Sequence, residues 1–209
     1  MKTLLITLLT SIFLLSNPPG NPGYKVGDKA MDFKLKNVDD TFVSMADNKE
    51  NKGYIVVFTC NTCPVSVLYE DRIIDLHNKY ASKGYPVIAI NPNDPKVKPG
   101  DSFEKMKVRA KEKGFPFSYI FDSTQEITMA YGATNTPHVY IVERVKEDYI
   151  VRYIGAIDNN SKKAEAATKL YVEDALTSLL AGDPIATPST KAIGCTIKWS
   201  AESKKKLGK

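Results

Sequence analysis

Cys60 and Cys63 are separated by Asn61 and Thr62 and followed at once by Pro64. Thiols at this spacing lie one helical turn apart, where they can cycle between dithiol and disulfide and carry two electrons without any bound cofactor. The loop they would close is too short to staple a fold through chain entropy, so reactivity is the better account of the pair. Cys195 is the third cysteine, and three thiols cannot all pair within one chain; it is an accessory redox candidate. The histidines are His77 and His138. A structural zinc site needs four ligands, which these residues supply poorly. The metal alternative is copper handling by Cys60, Cys63 and His138, a soft sulfur and imidazole set; otherwise no metal is expected.

The elements that must position the pair are legible around it. Tyr54-Ile55-Val56-Val57-Phe58 is a continuous apolar, β-branched run, the pattern of a strand buried on both faces. After the cysteines, Val65, Leu68, Tyr69, Ile73, Leu76 and Tyr80 recur at helical spacing up to the Lys83-Gly84 stop. This places Cys60 at the end of a strand and the start of a helix, whose free N–H groups and positive end favour a thiolate. Such settings lower a thiol pKa from about 8.5 into the range of roughly 3.5–7.5. Cys60 is therefore the expected nucleophile and Cys63 the thiol that resolves its mixed disulfide.

Further along, Val87-Ile88-Ala89-Ile90 and Tyr119-Ile120-Phe121 read as strands. Asp101 with Glu104, and Ser123 with Glu126, have the spacing of capping boxes that open helices ending near Gly114 and Gly132. Val139–Val142 and Tyr149–Ile154 form a hairpin, and Val172, Leu176, Leu179 and Leu180 line a last helix ending at Gly182. Ahead of all these, two short strands flank the polar turn Asn37-Val38-Asp39-Asp40. The expected fold is α/β: a mixed central sheet flanked by helices, with an N-terminal β-hairpin extension.

The chain has 209 residues, 43% hydrophobic content and 25% charged residues, enough for one domain with a full core. Its net charge of +5 is a local matter, since residues 191–209 hold six lysines against one acid, Glu202, and the remainder is formally neutral. A nucleic-acid surface would carry its basic residues along an element of the fold, so no nucleic acid is expected as partner. At the other end Met1-Lys2 precedes a stretch that is mostly apolar from Leu4 to Leu15, followed by Pro18, Pro19 and Pro22. This is the pattern of a secretory signal, and Leu15-Ser16-Asn17 is a poor cleavage site, so an uncleaved N-terminal membrane tether is the alternative. The expected organisation is a signal peptide or anchor over 1–23, a domain over 24–182, and a linker with basic tail over 183–209. The expected location is exported and periplasmic, cleaved or N-terminally anchored.

Strand-Cys-x-x-Cys-Pro-helix, followed by Thr136-Pro137 entering a strand, resembles the thioredoxin superfamily. Phe58-Thr59-Cys60-Asn61-Thr62-Cys63-Pro64, Ala89-Ile90-Asn91-Pro92-Asn93-Asp94, Gly132-Ala133-Thr134-Asn135-Thr136-Pro137 and Gly194-Cys195-Thr196-Ile197-Lys198-Trp199 are similar to its redoxin, or peroxiredoxin-like, AhpC/TSA-related members. The resemblance implies a thioredoxin-like fold, a cis Pro137 opposite the cysteines, and a Thr136 backbone that pairs with an extended substrate. It implies thiol–disulfide exchange with disulfide- or thiol-bearing proteins and an electron donor. Peroxide reduction is the alternative within the same scaffold. Two departures count against carrying more over. Tyr54 stands where thioredoxin has a buried aspartate, and the Pro-x-x-x-Thr/Ser-x-x-Cys pattern of peroxidatic enzymes fails, with Val56 and Cys60 at the places counted from Cys63 and Gly53 and Val57 at those from Cys60.

Overall fold

The computed structural model describes residues 23–209, so the apolar segment expected to direct export lies, through residue 22, outside the described residues. Ten strands are described: β1 Lys29–Ala30, β2 Leu35–Asn37, β3 Phe42–Val43, β4 Gly53–Phe58, β5 Val87–Asn91, β6 Ser118–Phe121, β7 Asn135–Thr136, β8 His138–Val145, β9 Asp148–Gly155 and β10 Cys195–Thr196. Five α-helices accompany them: α1 Pro64–Tyr80, α2 Phe103–Lys113, α3 Glu126–Tyr131, α4 Tyr171–Ala181 and α5 Ala201–Lys206.

Eight strands form one mixed sheet in the order β1-β9-β8-β4-β5-β6-β2-β3. β4 is its centre, parallel to β5 and antiparallel to β8, and all six of its residues are buried. The alternation of side chains along the strand sends Ile55 and Val57 to one face and Val56 and Phe58 to the other. The first face packs with Tyr69, Ile73 and Leu76 of α1 and Val172 and Leu176 of α4. The second packs with Ile127 and Tyr131 of α3 and with Ile197 beyond β10. Helices on both faces are why this strand reads as an unbroken apolar run. The N-terminal hairpin, β2 and β3, continues the sheet beyond β6, with Lys36 opposite Phe121 and Asn37 opposite Ile120.

Neither expected capping box forms. Ser102 is the N-cap of α2 and Asp101 is wholly buried, turned inward to donors described below. Gln125, not Ser123, precedes α3, and it holds a left-handed φ of 61°. A reciprocal box does form at Ser44 and Asp47, over the 3-10 turn Met45–Asp47.

The segment after Gly182 packs against the domain. Ile154 N–H donates to Pro188 O and Thr190 N–H returns to Ile154 O, at 3.1 and 2.9 Å. The Thr190 hydroxyl meets Tyr153 Oη at 2.7 Å and accepts from Ala156 N–H at 2.9 Å. β10 then pairs antiparallel with β7, Ile197 is 4% exposed, and Trp199 packs on the same cluster. Lys204, Lys205 and Lys206 on α5 remain exposed, as expected of a solvated basic end.

Ile55 has no exposed surface, so Ile55→Ala should lower unfolding free energy by about 2–5 kcal/mol. Val108→Ala, at a half-exposed position of α2, should stay within about 0.5 kcal/mol of wild type. Urea unfolding with an unchanged slope checks both.

Candidate active site

β4 delivers the cysteines: Thr59 N–H still bonds Ile90 O at 2.9 Å, and the chain then leaves the sheet into Cys60-Asn61-Thr62-Cys63. Helix α1 begins at Pro64, a residue suited to the first helical position because it has no N–H to leave unpaired. The N-cap is thus Cys63 and not Cys60, a correction of three residues to the expected helix start. Both sulfurs are buried, each residue being 3% exposed.

Cys63 has no hydroxyl or carboxylate cap beside it. Its sulfur accepts from Cys195 N–H at 3.4 Å, and the Ser66 N–H of the first turn also acts on it without closing a bond of ordinary capping geometry. The adjacent Cys60 thiol is the largest influence holding Cys63 below the usual thiol range, against the cost of burial, with Cys195 and these N–H groups adding to it. One contact opposes ionisation: Cys63 Sγ lies 3.2 Å from Thr136 O, a geometry in which the thiol donates. Several donors against one acceptor favour the thiolate. Cys60 moves the other way, raised first by its interaction with Cys63, then by burial and by the negative charge of Asp101. Its sulfur is 3.3 Å from Thr136 Oγ1.

Thr136-Pro137 is a cis peptide, as the resemblance implies, and Thr136 touches both sulfurs. The backbone edge of Thr136 expected to receive a substrate strand is taken by the chain itself, with Cys195 opposite Thr136 and Thr196 opposite Asn135.

The Asn61-Thr62 dipeptide is held by groups that sequence reasoning did not select. The Asp101 carboxylate accepts from Thr62 N–H at 3.0 Å, Thr62 Oγ1 at 2.8 Å and Asn93 Nδ2 at 2.7 Å. Asn61 Nδ2 donates to Gly100 O, and Tyr119 Oη donates to Asn61 Oδ1, both at 2.9 Å. Gly100 is required by the approach, since an added Cβ would lie 2.6 Å from Thr62 Cγ2. Glu70 is 4% exposed and receives both Nε and a terminal nitrogen of Arg109 at 2.7 Å. It lines a narrow cavity with Cys60 and Tyr119. The signals available were the run of polar residues after β5 and the Arg109 spacing on α2, neither of which names its partner.

Each histidine accepts a hydrogen bond from a backbone N–H. His77 Nδ1 accepts from Val87 N–H at 3.2 Å and ties α1 to β5. His138 opens β8 opposite Phe58, packs on Tyr140 and accepts from Thr134 N–H at 3.3 Å through Nδ1. Among the described residues no group of three or more His, Cys, Asp or Glu is arranged to hold a metal ion, so the Cys60, Cys63, His138 set is not assembled as a ligand site.

Burial without a charge partner lowers the His138 pKa to about 4. The unfolded chain, with a His pKa of about 6.5, takes up this proton first, so the stabilisation is complete above that value and is lost as pH falls toward 4. Between pH 7 and pH 5 the loss should be about 2 kcal/mol. Urea unfolding of wild type against His138→Gln, which keeps an acceptor for Thr134 N–H, should show this difference in slope with pH.

Comparison with known proteins places the family and the fold. A sequence profile described as AhpC/TSA family matches residues 26–160, a span containing Cys60, Cys63, Thr136 and Pro137. No curated protein matches the chain. An uncharacterized conserved protein from Geobacillus kaustophilus is 37% identical, with a TM-score of 0.78 over 85% of this chain and 93% of that one. Peroxidoxin BcpB from Mycobacterium tuberculosis is similar at 16% identity and a TM-score of 0.56, over 75% of this chain and 97% of its own. A Chlorobium tepidum protein named as thiol:disulfide interchange protein DsbE is similar at 21% identity and 0.52, over 75% and 98%. These last two share the thioredoxin-like fold alone. With the profile covering more than half its length, the chain belongs to the AhpC/TSA family of thioredoxin-fold redoxins.

Proposed function

We propose that this redoxin is an exported thiol–disulfide oxidoreductase in which Cys63 is the attacking thiolate and Cys60 the resolving thiol. The observation that carries this reading is the placement of the Cys63 sulfur at the N-cap of α1, beside Cys60 and the cis Thr136-Pro137 step. A thiolate there attacks one sulfur of a partner disulfide, forming a mixed disulfide and expelling the other sulfur as thiolate. Cys60 gives its proton to the expelled thiolate and attacks Cys63. A Cys60–Cys63 disulfide closes and the reduced partner leaves. An electron donor then returns the pair to the dithiol, or in reverse the pair oxidises a client.

The partners are disulfide- or thiol-bearing proteins, and the sulfurs themselves carry the electrons. Export is supported by Lys2 followed by the apolar Leu4–Leu15 stretch, and an oxidising compartment is where disulfide-bearing clients occur. Cleaved, the segment frees a periplasmic protein; retained, it tethers the domain to the membrane. Peroxide is the weaker substrate because Val56 and Cys60 occupy the positions of the peroxidatic Pro and Thr/Ser.

Thiolate absorbance at 240 nm should persist in the reduced protein well below the ordinary thiol midpoint of about 8.5. It should vanish at neutral pH in Cys63→Ser, while Cys60→Ser should titrate at a higher pH than wild type. Loss of the neutral-pH thiolate in Cys60→Ser alone would reverse the two roles.

Cys63→Ser should slow reduction of a small aromatic disulfide by about 100-fold or more. The Cys60→Ser, Cys195→Ser double variant should instead accumulate the mixed disulfide, seen as added mass on Cys63. A Cys63→Ser rate within a few-fold of wild type would sink the exchange reading, as would hydrogen peroxide consumption far above that of a free thiol with no disulfide turnover.

A further inference from the structure

The segment carrying Cys195 lies beyond the residues matched by the family profile, yet it is built into the active site. We propose that Cys195 is a third redox cysteine that forms a disulfide with Cys63, with β10 acting as a built-in substrate strand. This inference rests on the exchange activity proposed above and adds to it the residue through which oxidising equivalents leave the buried pair.

Three independent features fix Cys195 in place. The ladder sets it opposite Thr136, with its N–H 3.4 Å from Cys63 Sγ. The preceding Gly194 has no room for a side chain: an added Cβ would sit 2.0 Å from Thr136 O. On the far side Ile197 N–H donates to Thr134 O at 3.2 Å, Lys198 N–H to Asn93 Oδ1 at 2.8 Å, and Gln125 Nε2 to Lys198 O at 3.0 Å. Gln125 makes that last contact from a left-handed backbone, a conformation that costs a non-glycine residue free energy. Strand register therefore holds a cysteine against the Cys63 sulfur as an extended substrate peptide would hold its own. The first turn of α1 reaches both sulfurs, Ser66 N–H acting on Cys63 and Val65 N–H on Cys195, although burial and the Cys63 sulfur together hold the Cys195 thiol above its ordinary range.

Access supplies the reason for a third thiol. Cys60 and Cys63 are each 3% exposed, whereas Cys195 is only partly buried. In the proposed step the Cys195 thiolate attacks Cys63 Sγ of the Cys60–Cys63 disulfide. The Cys63–Cys195 bond forms, the Cys60–Cys63 bond breaks, and Cys60 leaves with the electron pair and takes up the proton that Cys195 gave up. No external oxidant is consumed, because one disulfide replaces another. A partner thiol then attacks the more open Cys195.

The test uses the full chain equilibrated in a mixture of oxidised and reduced glutathione, quenched with acid, alkylated and digested with trypsin without reduction. Cys60 and Cys63 fall in one peptide, residues 53–72, and Cys195 in another, residues 192–198, so a bond to Cys195 appears as a cross-linked pair. Wild type should yield that pair, and Cys60→Ser should enrich it by about tenfold relative to the unlinked peptides. Gly194→Val, which displaces β10 while keeping all three thiols, should reduce it by at least about tenfold and leave the disulfide within residues 53–72 intact. A Cys60→Ser protein that carries only glutathione on Cys63, or wild-type yields of the pair in Gly194→Val, would overturn the inference and leave exchange by Cys60 and Cys63 standing. A wild type in which no cysteine is oxidised would overturn the exchange reading itself.

Discussion

The structure depends on one electrostatic arrangement, a sulfur placed at the unpaired N–H groups of a helix whose start is sealed from water. A helix end leaves four N–H groups without intrahelical partners, and in most helices an oxygen-bearing side chain caps one of them. α1 has no such cap. Cys63 occupies the position, so the partial positive charge that a serine or aspartate would otherwise neutralise remains available to a thiolate. With both cysteines at 3% exposure, little solvent dilutes that field. The proton is then shared unequally between two neighbouring sulfurs, lowering one and raising the other.

Such a field is useful only if the loop cannot drift, and the surrounding polar groups supply that rigidity. Asp101 has no exposed surface and gathers three donors, two of them from Thr62. Removing its carboxylate would strand these donors in a dry site, where each unsatisfied group costs about 1–3 kcal/mol. Its negative charge also raises Cys60 and so helps to keep the proton on that thiol. Glu70 lines the narrow cavity beside Cys60, and Arg109 holds both its oxygens. The paired carboxylate is a strut between α1 and α2.

The strand, the helix and the cysteine pair between them were legible in sequence because each is local: five apolar residues, a 3.6-residue period, a Cys-x-x-Cys-Pro run. The Thr136-Pro137 step was legible only through resemblance. Pro64 also marked the helix start, since a proline suits the first helical position. That signal places the N-cap at Cys63. What stayed hidden was long-range. Asp101 followed three residues later by Glu104 has the spacing of a cap, and nothing local reveals that its partner, Thr62, is 39 positions away. Residues 183–200 have the composition of a linker, yet they are ordered by backbone pairing and by Gly194, whose value lies in the side chain it lacks.

Burial opposes the Cys63 thiolate and also restricts its reach, and both constraints bear on the C-terminal segment. Disulfide exchange requires an attacking sulfur to reach the one it displaces. Around Cys63 the approaches are filled by α1, by the Asn61-Thr62 loop tied to Asp101, and by Thr136-Pro137. β10 lies against it as well, with Cys195 N–H on the Cys63 sulfur. An inert strand there would simply cap the site and exclude protein partners. A strand that carries a cysteine sets a third thiol opposite Thr136, with its N–H on the Cys63 sulfur, and leaves it less buried than the pair it faces.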